Sequence, residues 1–369
     1  MLNQCECKTD GFCPRYQRTM SGRFREICQG VNVDMGTAAV FREQWEREAG
    51  PSVSAVLPQP LLLKCDMNPG DLVAMTAAIY SLHRTHPGKY TTAVKCQYPE
   101  IFDYNPDVVP AAPRMSELRM YYPAIHKANE RGIHFMQGWC EFLGLALGIN
   151  IPLLTNRPRL YFGSHIPKVV LPDDLWAVLG NLVQGNFRLP DYLKGDYWIV
   201  CSGGKRDFTN KIWGHSSYQE VLGRLNGKVR FVQVGVASDQ HQTLTTAVSM
   251  VGRTDLRYLF ELVRRAKGVL CGVSLLMHVA AALEKPAIVI AGGREPVQWN
   301  AYPKQHYLHT VGALPCCAEG GCWKSRTVPL VDGSPLDSDL CERPIGDVPE
   351  CMTMIKPSEV AELILRYNR

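Results

Sequence analysis

The chain has 369 residues, enough for two domains, and its 46% hydrophobic and 20% charged content is ordinary for a globular protein with buried cores. The net charge of +5 is mild. It suits an anionic small ligand or an acidic partner, and it does not by itself indicate nucleic-acid binding. No apolar run approaches the roughly 18 residues that a membrane span needs, and the first residues carry no apolar signal region, so we predict a cytoplasmic protein.

The first half of the chain alternates between strand-like and helix-like patterns after a polar, cysteine-rich start at 1–50. The predicted elements are a helix at 38–48, strands at 53–65 and 89–96, and helices at 72–87 and 132–148. A strand, a turn, a helix and a second strand in this order are typical of a parallel sheet with crossover helices.

The second half repeats this alternation from residue 197 onward. Strands are predicted at 197–204, 229–235, 269–273 and 286–293, and helices at 216–227, 254–268, 275–285 and 356–369. Ser216, Thr254 and Ser358 stand at the starts of three of these helices, and their hydroxyls predict N-caps. Asn226-Gly227 is a typical helix stop.

Two such halves predict an α/β protein with two Rossmann-like domains that face each other across a cleft. The predicted divisions are a cysteine-rich extension at 1–50, an acceptor-side domain at 51–190, a nucleotide-sugar domain at 191–312, a cysteine-rich metal segment at 313–355 and a terminal helix at 356–369. Ligands of such sheets bind outside the carboxyl ends of the strands.

The stretch GVLCGVSLLMHVAAALEKPAIVIAGGREPVQW at 268–299 contains a candidate phosphate site. Its helix begins directly after a buried strand, so free backbone N–H groups and the positive end of the helix dipole point toward a ligand. Gly292 and Gly293 end the next strand at the same edge, where they would let a ligand approach the backbone. The alternative is that both are ordinary turns of a Rossmann domain.

The order of several short motifs resembles glycosyltransferase family 9, the ADP-heptose:lipopolysaccharide heptosyltransferases. These are VGRTDLRYLFELVRRAKGVLCG at 251–272, HVAAAL at 278–283 followed by Lys285-Pro286, GGREP at 292–296, PGD at 69–71 and KIW at 211–213. The resemblance covers about 60–310. It implies the two-domain GT-B architecture and an inverting transfer of a heptose-like sugar from a nucleoside diphosphate donor, expected to be ADP-linked.

The resemblance also implies roles for individual residues. Asp71 would be the general base that takes the proton of the acceptor hydroxyl, although an aspartate at this position could instead cap the helix at Leu72. Lys211 would offset the charge of the leaving diphosphate, and the alternative is a plain surface lysine. The remaining donor-site candidates are Ser202, Gly203, Gly204, Lys205, Ser274, Leu275, Leu276, Met277, His278, Gly292, Gly293 and Arg294.

One departure from the family pattern concerns the sugar itself. Many heptosyltransferases carry an aspartate five residues before the histidine, where it is expected to hold sugar hydroxyls, and this chain has Val273 there. This departure leaves the identity of the donor sugar undetermined, and it does not alter the prediction of a diphosphate site. The later turn carries Glu295 in place of the family's aspartate, with Arg294 before it.

Nine of the 14 cysteines fall into two clusters outside the common core. The clusters are Cys316, Cys317, Cys322, Cys341 and Cys351, and near the start Cys5, Cys7, Cys13 and Cys28. Clustered cysteines in a cytosolic chain favour a metal over disulfides, and four thiolates suit zinc or iron. The autotransporter heptosyltransferases place an iron-binding four-cysteine motif in a similar position. We therefore predict a structural zinc or iron at the cluster of Cys316 to Cys351 and no catalytic divalent metal. The cluster near the start of the chain either holds a second ion or lends thiols to one shared site.

The sequence thus predicts a glycosyltransferase with a nucleotide-sugar donor. Its acceptor, a glycan, a protein or another molecule, and its oligomeric state are open. Two alternatives remain: a non-catalytic, metal-stabilised binding or assembly protein on the same scaffold, which the missing aspartate at Val273 favours, and a sugar transferase that acts on protein or nucleic acid.

Overall fold

The computed structural model describes residues 12–13, 18–19, 58–121, 132–163, 195–204, 211–239, 241–322 and 341–368. The predicted helix at 38–48 and the predicted domain boundary near 190 lie outside these residues. Cys5, Cys7, Cys28 and Lys205 also lie outside them. A short antiparallel pair near the start joins strand β1, Phe12–Cys13, to β2, Arg18–Thr19.

The first half contains a three-stranded parallel sheet in the order β4-β3-β5. Its strands are β3 (Gln59–Cys65), β4 (Tyr90–Cys96) and β5 (Ser116–Arg119), and its helices are α1 (Pro69–Thr85) and α2 (Phe135–Leu147). The sheet and α1 confirm the strand, helix and strand that the sequence predicts. Proline at the first turn of α1 suits a position whose N–H has no partner within the helix.

The second half contains a six-stranded parallel sheet in the order β11-β10-β9-β6-β7-β8. The strands are β6 (Trp198–Cys201), β7 (Phe231–Gln233), β8 (Ala247–Ser249), β9 (Gly268–Gly272), β10 (Ala287–Gly292) and β11 (Gln305–His309). The helices are α3 (His215–Arg224), α4 (Leu256–Arg265), α5 (Leu275–Ala282) and α6 (Val297–Asn300). Strands β9 and β10 are buried along almost their whole length, as their continuous apolar runs predict for central parallel strands.

The chain ends in a small hairpin and two helices that pack on the second half. These are β12 (Pro344–Ile345), β13 (Val348–Pro349), α7 (Glu350–Thr353) and α8 (Pro357–Arg366). Val360 and Ile364 of α8 are buried in one cluster with Trp198 and Val221 of the second half.

Three predicted helix caps are wrong. Helix α4 begins after Asp255, whose carboxylate accepts from the backbone N–H of Tyr258 at 2.7 Å, and not after Thr254. Gly214 precedes α3 and Lys356 precedes α8, so Ser216 and Ser358 lie inside their helices. An aspartate next to a threonine is an equally good cap by residue type, so composition alone does not choose between them.

The two halves share one buried apolar cluster. It includes Leu72 of α1 and Phe135 of α2 together with Phe260 of α4 and Val279 of α5. The ring of Phe135 lies 5.6 Å from the ring of Trp299, which belongs to the second half. The helices that border the predicted cleft therefore meet through apolar contacts as well as through the polar groups described next.

Candidate functional site

The turn that carries Asp71 lies against the start of α5. Asp71 is in the first turn of α1, two residues inside the helix, so it does not occupy the N-cap position, which is Asn68. A Cβ atom added to Gly70 would lie 3.1 Å from Cδ2 of His278 and 3.5 Å from Cα of Leu275. A side chain at this position would press on the His278 ring, which would have to shift by a few tenths of an ångström.

A buried histidine and tyrosine face this turn. Nδ1 of His278 lies 2.7 Å from the hydroxyl of Tyr302. Burial lowers the pKa of His278 to about 3, so its imidazole is neutral at pH 7. Burial raises the pKa of Tyr302 well above its ordinary value, and the negative charge of Asp71 raises it further, which brings Asp71 into the same group.

His134 completes this group from the first half of the chain. Its ring centroid lies 4.8 Å from that of Tyr302, and its Nδ1 accepts from the backbone N–H of Met136 at the start of α2. Burial lowers the pKa of His134 to about 4, so this ring is also neutral at pH 7. The site thus offers neutral hydrogen-bonding groups near the carboxylate of Asp71.

Lys211 also lies close to this helix start, since a Cβ atom added to Gly272, at the end of β9, would lie 3.5 Å from the carbonyl oxygen of Lys211. Its Nζ lies 2.7 Å from Oε1 of Glu295, and its side chain is 27% exposed whereas that of Glu295 is 2% exposed. Nε of Arg294 lies 3.3 Å from the same oxygen, and Nδ2 of Asn300 donates to the other one. Burial alone would raise the pKa of Glu295, but the charges of Lys211 and Arg294 outweigh it and lower that pKa.

The network around Glu295 keeps a positive charge at the edge of the cleft. The Lys211 charge contributes to the lowered pKa of His278, so both belong to one electrostatic neighbourhood. A lysine that is held by a buried carboxylate and still partly exposed can contact an anion without further side-chain ordering.

The loop after β6 is tied to the rest of the site by a buried glutamine. Nε2 of Gln233 donates to Oγ of Ser202 at 3.1 Å and to the carbonyl oxygen of Gln242 at 2.8 Å. Gly203 and Gly204 follow at the carboxyl end of β6. These residues lie at the same sheet edge as the start of α5, because β6 and β9 are parallel neighbours.

The four residues that open α5 offer their backbone to a ligand. Ser274 is the N-cap of the helix, yet its side chain makes no capping hydrogen bond. Leu276 and Met277 are buried, and Leu275 packs against the apolar cluster, so their side chains belong to the core. Any contact of these residues with an anion would come from N–H groups and the helix dipole.

The glycine pair after β10 faces protein and does not provide an open approach for a ligand. A Cβ atom on Gly292 would lie 2.7 Å from Sδ of Met352, and one on Gly293 would lie 3.1 Å from Sγ of Cys317. Gly292 also has a φ of 59°. These glycines are needed because the cysteine-rich segment packs on this end of β10, a reason that differs from the predicted one.

Four of the cysteines in the C-terminal cluster come close to one another. Cys316, Cys322, Cys341 and Cys351 are mutually near enough that charges on one would raise the pKa of the others, although burial is the larger cause of the raised pKa of each thiol. Cys317 packs on Gly293, and the N–H of Gly293 points at Sγ of Cys351 at 3.4 Å. In the described parts of the chain, no three metal-binding side chains form a group tight enough for an ion.

Comparisons with known proteins bear directly on this arrangement. Residues 184–321 match the family model of glycosyltransferase family 9 (heptosyltransferase). The predicted resemblance to family 9 is confirmed. The matched range contains the whole six-stranded sheet with Lys211, His278 and Glu295, and the prediction of a glycosyltransferase is confirmed at the level of this family. No curated protein matches the chain in sequence.

Several solved structures of glycosyltransferases have a similar fold. The iron-containing dodecameric glycosyltransferase TibC from enterotoxigenic E. coli superposes with a TM-score of 0.57 and 16% identity, over 86% of this chain and 78% of TibC. The E. coli ADP-heptose lipopolysaccharide heptosyltransferase II gives 0.52 and 14% identity, over 84% of this chain and 98% of that enzyme. A family 9 glycosyl transferase from Veillonella parvula gives 0.51 and 13%, over 86% and 99%. The chain therefore has the predicted α/β architecture of the GT-B type.

Several residues of the site escape sequence reasoning. Tyr302, Asn300 and His134 carry no motif, although Asn300 and Tyr302 are buried and His134 is half-buried in the structure. Glu295 is visible only as a departure from the family pattern.

Among the described helices, none is long and apolar enough to cross a membrane.

Proposed function

We propose that the protein is an inverting glycosyltransferase that moves a heptose-like sugar from an ADP-linked donor to an acceptor hydroxyl. The observation that supports this best is the meeting of Asp71 and Lys211, from different halves of the chain, at the start of one helix. Gly70 contacts His278 of α5, the charge of Lys211 lowers the pKa of His278, and the charge of Asp71 raises the pKa of Tyr302, the hydrogen-bond partner of His278.

In the proposed reaction the acceptor oxygen forms a bond to the anomeric carbon while the bond from that carbon to the diphosphate breaks. Asp71 takes the proton of the acceptor hydroxyl, and the diphosphate leaves with the electron pair of the broken bond. Lys211 and the N–H groups at the start of α5 offset the charge that develops on the diphosphate. The partly exposed ammonium of Lys211 and the neutral imidazole of His278 support this division of roles.

The donor would bind the second half of the chain and the acceptor the first half, near Asp71. Ser202, Gly203, Gly204 and the backbone of 274–278 are the proposed donor contacts. Gly292 and Gly293 are left out of this set, because Met352 and Cys317 cover them. The acceptor itself stays open between a glycan, a protein and another molecule, and the cytoplasm is the proposed compartment.

A structural metal ion is the second part of the proposal. The convergence of Cys316, Cys322, Cys341 and Cys351 supports it, since a thiol-only set of donors suits zinc or iron. TibC, which has a similar fold, is described as iron-containing. These four side chains would hold the ion at the end of β10. Elemental analysis of the purified protein and of a Cys322→Ser, Cys341→Ser variant tests this part.

Calorimetric titration with ADP, UDP, GDP and CDP tests the donor site. We expect ADP to bind in the micromolar range and Lys211→Ala to weaken this binding at least about tenfold, the equivalent of about 1.4 kcal/mol. Lys267→Ala is the matched control, because Lys267 forms a surface ion pair with Asp196 at 2.9 Å. A folded, metal-loaded protein that binds none of the four nucleotides would refute the glycosyltransferase and favour a binding or assembly protein.

A further inference from the structure

Tyr302 is buried between a histidine of each half of the chain. Its ring centroid lies 4.8 Å from that of His134 and 5.6 Å from that of His278. Its backbone N–H donates to Oε1 of Gln305 at 3.3 Å, and Nε2 of Gln305 donates to the carbonyl of Met277 at 2.8 Å. One glutamine therefore fixes the position of the tyrosine relative to the helix turn that carries His278.

The hydroxyl of Tyr302 has one hydrogen-bond partner in the part of the chain that the structure describes, which is Nδ1 of His278 at 2.7 Å. Since a hydroxyl and a neutral imidazole can each donate or accept, two arrangements of this bond are conceivable. If Nδ1 carried the proton, it would donate to the phenol oxygen, and the phenol proton would be left without an acceptor among these residues. A buried donor without a partner costs about 1–3 kcal/mol, and Tyr302 is only 4% exposed. The structure therefore favours the arrangement in which Tyr302 donates and Nδ1 accepts.

Both groups carry a fixed number of protons at pH 7. Burial lowers the pKa of His278 to about 3, so its ring carries a single proton. Burial and the negative charge of Asp71 raise the pKa of Tyr302, so its phenol stays protonated and able to donate. With Nδ1 as the acceptor, the single proton of the imidazole is on Nε2.

The edge of the imidazole that carries Nε2 faces the turn before Asp71. A Cβ atom added to Gly70 would lie 3.1 Å from Cδ2 and 3.5 Å from Nε2 of His278. Asp71 follows Gly70 directly, in the first turn of α1. What Nε2 presents, a proton or a lone pair, therefore decides which polar group lies beside this turn.

We propose that Tyr302 is a positioning residue that fixes the proton of His278 on Nε2, so that the ring presents an N–H donor beside the turn of Asp71. This inference rests on the proposed function, because it assigns the uptake of the acceptor's proton to Asp71. A hydroxyl has lone pairs and one proton, so a neighbouring N–H binds its oxygen and directs its proton to the carboxylate. The other tautomer would present a second acceptor, which would hold the hydroxyl proton without removing it.

NMR of protein with nitrogen-labelled histidine measures the tautomer directly, because protonated and unprotonated ring nitrogens have well-separated chemical shifts. The signals of His278 are assigned from a His278→Gln variant. We expect a protonated Nε2 and an unprotonated Nδ1 in the wild type at pH 7, and a mixture of both tautomers in Tyr302→Phe, which lacks the donor to Nδ1. A protonated Nδ1 in the wild type, or an unchanged tautomer in Tyr302→Phe, would overturn the inference.

The catalytic consequence is measured as the release of ADP from an ADP-linked heptose, with water in the place of the acceptor. We expect Tyr302→Phe to lower kcat at least about tenfold, since a histidine in the wrong tautomer loses its orienting role. The KM for the donor and the affinity for ADP should stay within about twofold, because the hydroxyl acts on the reacting groups and not on donor binding. Tyr197→Phe is the matched control, because Tyr197 is also buried and donates to the carbonyl of Leu262 at 2.8 Å. An equal fall of kcat in the two variants would show a structural effect and overturn the inference.

The two measurements separate this inference from the proposed function. A wild type that binds no ADP and releases none from the donor would refute the glycosyltransferase and with it the catalytic role of Tyr302, whereas the NMR signals of the free protein report the tautomer whether or not a donor binds. Wild-type activity together with a protonated Nδ1 would leave the glycosyltransferase in place and overturn only the role of Tyr302.

Discussion

At the scale of single residues, the site depends on pairs that the chain order does not reveal. Nζ of Lys211 and Oε1 of Glu295 are 2.7 Å apart, although Lys211 follows β6 and Glu295 follows β10 in the chain. The motif around Lys211 predicts the role of this lysine, because a positive charge beside a diphosphate is a function that the residue type itself indicates. Its buried partner has no such signature, since a glutamate in the sequence reads as a surface residue until the fold buries it.

Replacing Glu295 with glutamine should destabilise the protein strongly. The change removes the charge that compensates Lys211 and Arg294 and leaves two cations beside a buried amide, so we expect the free energy of unfolding to fall by about 3–5 kcal/mol. Urea unfolding with circular dichroism measures this. The matched control is Glu284→Gln, whose side chain is 52% exposed and pairs with Arg157 and Lys304, and which should cost less than about 1 kcal/mol. Equal losses in the two variants would contradict the role of the buried network.

At the scale of elements, the sequence predicts the strands and helices well and their ends poorly. The apolar runs of β9 and β10 and the periodic pattern of α4 determine the elements, because burial of these side chains is the largest favourable contribution to folding. The ends depend on single hydrogen bonds, which is why Thr254, Ser216 and Ser358 are wrong as caps. Gly292 shows the same limit. Its glycine is visible in the sequence, but only the packing shows that a side chain there would collide with Met352.

The N-cap of α4 gives a direct test at this scale. Asp255 accepts from the N–H of Tyr258 at 2.7 Å, so Asp255→Ala should lower the free energy of unfolding by about 0.5–2 kcal/mol. Thr254→Ala removes the neighbouring hydroxyl, which makes no such bond, and should leave stability within about 0.5 kcal/mol of the wild type. Thermal or urea unfolding of the two variants side by side decides the matter, and a larger loss for Thr254→Ala would restore the sequence-based prediction.

At the scale of the whole molecule, the two halves of the described chain are connected by hydrogen bonds and apolar contacts, and do not only face each other across a cleft. Arg257 of α4 donates to the carbonyl of Tyr161 at 2.9 Å and stacks 5.0 Å from the ring centroid of Phe162, both in the first half of the described chain. Arg157 donates in the other direction, to the carbonyl of Ala282 at 2.6 Å. Together with the shared apolar cluster, these contacts couple the stability of one half to that of the other.

The halves should therefore unfold together. Hydrogen exchange measured by mass spectrometry at increasing urea should give the same opening free energy for peptides from α1 and from β6, because the cluster that contains Leu72 and Val279 cannot lose one half and stay buried. Arg257→Met should lower both values in parallel by about 1–3 kcal/mol, since it removes a charged donor from two partly buried carbonyls. Arg224→Met, which removes only an exposed pair with Glu220, serves as the control and should change neither by more than about 0.5 kcal/mol. If α1 opens at clearly lower urea than β6, the halves are independent units, and the meeting of Asp71 with the start of α5 depends on a weak contact that a bound donor would have to stabilise.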